Sequence, residues 1–224
     1  ITNMSSILDQ DIQFLPSVGT KTKEILSKEL GIRSYGDLLE YYPYKYVDRS
    51  KIFHISELTS DMPFVQLKGK ILSYEEVDIG KRNKMLVAHF SDGYGVVDLV
   101  WFRSAQYIIK SYKVGTEYIV FGKPSAYNGR FQFAHPDIDD ASKLQISEMG
   151  MQPFYGLTEN MKKRGYTSRS IERITRNLVS ILPPLPETLP DFIVNRLHLV
   201  SRDAALRMIH YPHSHQEMQK AQVR

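Results

Sequence analysis

The chain has 224 residues, with 29 Lys and Arg against 25 Asp and Glu, seven His and no Cys. A net charge of +4 and a pI of about 9.0 permit a polyanionic partner without demanding one, and the length suffices for one large core or two small ones. The absence of cysteine excludes disulfides and thiolate metal sites. No apolar run approaches a membrane span, and residues 1–10 lack the basic-then-apolar order of a signal peptide, so a soluble cytoplasmic protein is expected.

In chain order, the first segment reads as helical and ends in a compact turn. Phe14-Leu15-Pro16-Ser17-Val18-Gly19 precedes 20–30, where Ile25 and Leu26 supply an apolar stripe and Lys21, Lys23 and Lys28 can face solvent. Leu-Pro-x-Val-Gly before a helix is similar to the helix-hairpin-helix element, whose glycine turn lets backbone N–H groups reach a phosphate. An ordinary capped turn between two packed helices fits the same residues. Gly31 stops the helix, and Ser34 is placed to cap another over 35–41, closed by Pro43. The block 42–50 follows, dense in aromatics and charges, with neither a helical nor a strand period. By residue type its Tyr46, Asp48 and Arg49 read as structural, with Arg49 pairing a carboxylate or carbonyl and the tyrosines packing a seam.

From 64 to 139 the pattern changes to five strands with one short helix between the third and fourth. The strands are 64–77, 84–91, 96–102, 116–123 and 130–135, and the helix is 105–112. That order is the plan of an OB-fold, a five-stranded Greek-key β-barrel often used to hold nucleic acid along one face and between two loops. Alternation puts Val65, Leu67 and Ile71 on one face of the first strand. On the third it puts Val97, Leu99 and Trp101 inward, with Val96, Asp98, Val100 and Phe102 outward. Phe102 then emerges at the strand end beside the helix that carries Tyr107. Two aromatics there make a stacking platform for bases, or they plug the barrel bottom. Lys81, Arg82 and Lys84 crowd the loop between the first two strands, and Arg130 follows the Asn128-Gly129 hairpin between the last two, so these four are the phosphate-contact candidates.

After 140 the composition turns helical. Residues 151–157 read as a linker, and 168–182 as a helix with Ile171, Ile174, Leu178 and Ile181 on one stripe and Arg169, Arg173 and Arg176 on another. Pro183 and Pro184 end it, and two short helices follow near 191–197 and 202–209, the latter capped by Ser201. The fold class is therefore α+β, with three regions: 1–50 helical, 51–145 the OB-fold barrel, and 146–224 helical.

Specific residues also resemble a known family. Leu15 to Gly19, Gly36-Asp37-Leu38-Leu39 and the pattern Pro43-x-x-Tyr46-x-Asp48-Arg49-Ser50 resemble the amino-terminal region of the RecG helicases. The likeness continues through Val100-Trp101-Phe102, through Ala134-His135-Pro136-Asp137, where the family usually has Glu last, and through 206–212. It implies that the barrel is the family's wedge domain, with Phe102 and Tyr107 stacking on bases where strands separate. The run from Phe102 to Tyr107 is one residue longer than the family's, which bears on Tyr107 more than on Phe102. The resemblance also implies branched DNA as partner, at stalled forks and Holliday junctions. A motor using ATP and magnesium would complete the protein, which would act as a bacterial, nucleoid-associated monomer in repair and recombination.

No G-x-x-x-x-G-K-[ST] phosphate loop occurs, so these residues alone supply no ATPase, no catalytic residue and no cofactor site. His210, His213 and His215 have too few supporting ligands for zinc, and no metal is expected. An OB-fold docking module for other proteins, or an RNA-binding module of a translation enzyme, remain rival readings.

Overall fold

The computed structural model describes residues 5–80, 83–143 and 150–224. The helices are α1 (Ser5–Leu8), α2 (Thr20–Leu30), α3 (Tyr35–Leu39), α4 (Ala105–Ser111), α5 (Glu159–Lys163), α6 (Ser168–Ile181), α7 (Asp191–Arg196), α8 (Arg202–His210) and α9 (His215–Val223). The strands are β1 (Lys45–Asp48), β2 (Val65–Asp78), β3 (Lys84–Ser91), β4 (Val96–Trp101), β5 (Glu117–Gly122), β6 (Ser125–Tyr127), β7 (Arg130–Ala134), β8 (Asp137–Asp140) and β9 (Met151–Phe154).

Two compact units divide the chain, one made of 1–48 with 150–224 and the other of 49–149. The flanks that the sequence suggests as two separate helical regions thus belong to one unit. They share a core in which Ile12, Leu15, Leu26, Ile32 and Leu38 from the first flank pack with Tyr155, Met161, Ile171, Ile174 and Leu178 from the second. Each such side chain contributes roughly 1.5–3 kcal/mol when fully buried. Helix boundaries follow local chemistry. Ser34 and Asp37 form a reciprocal capping box on α3, Ser201 accepts from the Ala204 amide to start α8, and Gly31, at φ 70°, ends α2. Before α2, the Leu15–Gly19 turn is entered from a three-residue 3-10 turn (Ile12–Phe14).

In this helical unit two expectations are corrected. The aperiodic block 42–50 contains β1, and the supposed linker contains β9; the two pair antiparallel, Asp48 opposite Met151 and Lys45 opposite Phe154. Four-residue strands carry too few alternations to show a period, and their pairing spans a hundred residues of sequence.

The second unit is the barrel. Its sheet runs β6-β7-β4-β3-β2-β5-β8, with β2 pairing both β3 and β5 and with β4 parallel to β7. Strand pairing of this order, with α4 between β4 and β5, is the OB-fold. The sheet has seven strands where the sequence suggests five, because β6 is the second arm of the Asn128-Gly129 hairpin and β8 adds to β5. No ladder joins β5 to β7 among the described residues; the Phe133 side chain packs at Gly122 across that seam, where a Cβ would stand 3.0 Å from its ring. Alternation places the core as expected. Val65, Leu67, Ile71, Leu86, Phe90, Val97, Leu99, Trp101 and Phe133 are all buried in one cluster. Gly69 is required by a close approach, since a Cβ there would lie 2.2 Å from the Ser91 carbonyl oxygen. Val100, expected on the wetter outer face, is buried, whereas its outward neighbour Val96 is exposed.

Candidate nucleic-acid interface

Phe102 leaves the end of β4 with its ring 49% exposed, and Tyr107, on α4, is 69% exposed. Both face solvent at the junction of β4 and α4, so neither plugs the barrel bottom, whereas Trp101 and Ile108 beside them are buried in the barrel core. Ser104, at φ 64°, turns the chain sharply between strand and helix.

The ring beside Phe102 is that of His135, with centroids 5.5 Å apart. His135 also takes a left-handed backbone (φ 47°), and its own N–H donates to the Val100 carbonyl at 2.9 Å. The Phe102 amide points at its Nε2 across a long 3.5 Å. Burial of part of the imidazole, and then the charge of Arg103, hold its pKa below the usual histidine value, so the ring is neutral at neutral pH. The sequence carried His135 only as part of the family-like Ala-His-Pro-Asp run. Its nearness to Phe102 follows from the parallel pairing of β4 with β7, a contact between residues 33 apart that no local pattern reports.

The phosphate candidates stand differently. Lys81 and Arg82 lie outside the described residues. Lys84 meets Glu76 at 3.2 Å at the surface, and the exposed Arg130 lies 3.7 Å from the half-buried Asp98; exposed pairs contribute ~0–1 kcal/mol. Asp98 also receives His89 Nδ1 at 2.8 Å, while His89 Nε2 meets Glu75 at 3.2 Å. The outer face of β2, β3 and β4 is therefore a mixed strip, in which two carboxylates face an imidazole and a guanidinium. Tyr127, at the tip of the β6–β7 hairpin, is 61% exposed beside Arg130.

The family-motif residues hold the scaffold. Tyr46, on β1, donates to the Ile209 carbonyl at 2.5 Å, and burial raises its pKa to about 12. Asp48 ends the same strand and is exposed. Arg49 is 3% exposed: its Nε donates to Gln66 at 2.8 Å, its Nη2 reaches Asp139 at 3.4 Å, and its plane lies 4.4 Å from the Phe121 ring centroid. Gln66 returns a bond to the Arg49 carbonyl at 2.7 Å. One cation thereby ties β2, β5 and β8 at the start of the barrel.

His210, one of the three histidines that the sequence gives too few supporting ligands for zinc, is engaged in the helical core. Its Nε2 donates to the Leu39 carbonyl at 2.8 Å, which leaves Nδ1 to accept from the Tyr155 hydroxyl at 2.8 Å. Among the described residues no group of three or more His, Asp or Glu side chains is arranged to hold a metal ion, and no helix is long and apolar enough to cross a membrane.

Comparison with known proteins gives this architecture its context. Residues 11–181 match the family described as RecG wedge domain. The ATP-dependent DNA helicase RecG of Thermotoga maritima is 32% identical over 223 residues, covering 97% of this chain and 27% of the relative. The Aquifex aeolicus RecG is 25% identical over 86% of this chain and 24% of its own length. A solved structure of RecG bound to a three-way DNA junction matches 96% of this chain and 29% of the other at a TM-score of 0.76 and 30% identity. The chain thus spans less than a third of the relatives it resembles. With a family match over most of the chain, a relative aligned nearly end to end and a solved counterpart of the same fold, the chain belongs to the RecG wedge domain family.

Proposed function

We propose that this chain is the junction-recognising, strand-parting portion of a RecG-type ATP-dependent DNA helicase. The observation that carries the reading is the pair of exposed aromatics, Phe102 and Tyr107, at the β4–α4 junction of an OB-fold whose relative was solved on a three-way DNA junction. An exposed ring costs solvation unless something covers it, and a base unstacked from its neighbours is the natural cover, worth roughly 1–3 kcal/mol. Lys84 and Arg130, with Lys81 and Arg82 from the same loops, would contact phosphates on either side.

In the whole protein, motor domains supplied by the rest of the relatives' length would hydrolyse ATP with magnesium and pull duplex DNA against the wedge. The result would be regression of stalled forks and branch migration of Holliday junctions in repair and recombination. Such a protein would work as a monomer at the bacterial nucleoid, in the cytoplasm.

The test is a fluorescence anisotropy titration against a model fork, a matched duplex and single-stranded RNA at two salt concentrations. Fork binding should be tightest and should weaken with salt, because phosphate contacts release counterions. Phe102→Ala should weaken fork binding by about fivefold or more while sparing duplex binding. Equal loss on both would refute stacking. One observation favours a second reading, a docking module for protein: Lys84 and Arg130 already have carboxylate partners. That reading is supported if no nucleic acid binds at either salt concentration.

A further inference from the structure

Of the phosphate candidates read from the sequence, Lys84 and Arg130 each lie near a carboxylate. Arg103 and Lys110 do not: both are exposed, and among the described residues neither lies within ion-pair distance of an acidic side chain. These two cations flank the exposed aromatics. Arg103 follows Phe102 directly, and its charge reaches the His135 ring that packs on Phe102. Lys110 stands three residues after Tyr107 on α4, a spacing that sets the two side by side on one helix face with Cβ atoms about 5–6 Å apart.

The rest of α4 shows which way that face points. Gln106, one turn before Lys110, is exposed with it, while Ile108 is buried and Ala105 and Ile109 pack against the barrel core. Solvent therefore meets, in chain order, an aromatic, a cation, an aromatic and a cation: Phe102, Arg103, Tyr107 and Lys110. An acidic protein segment would satisfy the cations and leave the rings uncovered. A duplex offers phosphates, but its bases are already stacked on one another. An unpaired strand offers a free base face and a phosphate at every nucleotide, and so serves both kinds of side chain. With seven residues, α4 runs about 10 Å, or about three nucleotides at stacked spacing.

We propose that the exposed face of α4 is a track for the unpaired strand that leaves Phe102, with Arg103 and Lys110 holding phosphates on either side of a base that lies against Tyr107. The inference rests on the reading that Phe102 stacks at a strand junction, and it adds the path that the parted strand takes from there. A strand laid instead along the outer strip of β2, β3 and β4 would bring its phosphates to the Glu75 and Asp98 carboxylates.

The experiment titrates the whole chain with a fork that carries an unpaired arm and with a matched duplex, from about 50 to about 200 mM salt. Arg103→Gln combined with Lys110→Gln should make the dependence of log affinity on log salt shallower on the fork by about 1.4, ~0.7 for each single-strand phosphate contact, so that the wild-type advantage shrinks about sevenfold over that range. On the duplex the two proteins should share one slope. Arg103→Lys combined with Lys110→Arg keeps both charges and should keep the wild-type slope on the fork. Both positions are exposed, and circular dichroism and the Trp101 emission maximum confirm the fold; each single Gln substitution, with half the effect, decides the matter if the pair does not fold. The inference is overturned by a wild-type slope in the Gln variant, by an equal loss in the variant that keeps both charges, or by an equal loss on the duplex. Phe102→Ala, run alongside, separates the two levels. Weaker fork binding there, with an unchanged slope in the Gln variant, removes the track alone. Unchanged fork binding there removes the stacking reading, and the track with it. Wild type that binds neither DNA removes both and leaves the face to an acidic protein segment.

Discussion

Acidification should destabilise the helical unit through a single side chain, His210. The imidazole is fully buried, and burial pushes its pKa from 6.5 down to about 4, against the smaller opposing effect of its bond to the Leu39 carbonyl. Between those two values the unfolded chain binds a proton that the folded chain refuses, so unfolding becomes easier as pH falls. The stability is present in full above pH 6.5 and is lost progressively towards pH 4. From pH 7 to pH 5, where most carboxylates remain charged in both states, the loss amounts to about 2 kcal/mol, and towards pH 4 it approaches ~3 kcal/mol. Urea unfolding followed by helical ellipticity at pH 7 and pH 5 reads this difference, and proton NMR of the His210 ring reads the pKa. His210→Gln supplies the control, because an amide can donate to Leu39 and accept from Tyr155 but does not titrate over this range; its stability should change by well under ~1 kcal/mol between the two pH values. A His210 that titrates near 6.5, or a glutamine variant that loses as much stability as wild type, would refute the reasoning.

Two further perturbations probe the barrel. Gly69→Ala forces a methyl group to within 2.2 Å of the Ser91 carbonyl, and the β2–β3 ladder must spread to admit it; a loss of roughly 2–4 kcal/mol is expected, read as an earlier Trp101 fluorescence transition in urea. An unchanged midpoint would mean that the crossing is looser than the structure has it. Arg49→Ala removes the guanidinium that Gln66 and Asp139 share and should cost about 3–5 kcal/mol, whereas Arg49→Met, which keeps contact with Phe121 but not the charge, should recover only part of that. Full recovery by Met would show that packing rather than hydrogen bonding holds the entry to the barrel.

The sequence made the barrel legible because its strands are long enough to alternate. Val97, Leu99 and Trp101 inward with Asp98 and Phe102 outward needed only the period of two, and the insertion of α4 before β5 identified the fold. Caps were equally readable, since Ser34 and Ser201 act on amides three residues away. What escaped depends on residues far apart. Neither β1 nor β9 has a pattern of its own. The burial of Val100 runs against what alternation alone predicts. His135 became visible as a neighbour of Phe102 only through a parallel pairing, and the partners of Lys84 and Arg130 sit across strands, where a charge looks free in one dimension and is answered in three. The aromatics Phe102 and Tyr107 could be found in the sequence, but their exposure could not.

The pairing of β1 with β9 carries a consequence for ancestry. Asp48 and Met151 stand opposite one another, so the hundred-residue barrel segment leaves and rejoins the helical unit at the same end of one small ladder. A segment grafted at such a site asks the host for a gap no wider than a hairpin turn. Genomes could therefore have acquired the barrel whole, exchanged it for another, or lengthened its loops, without rebuilding the helices on either side. Deleting 49–149 and bridging 48 to 150 with a short turn should leave the helical unit with its own core and both strands of its ladder.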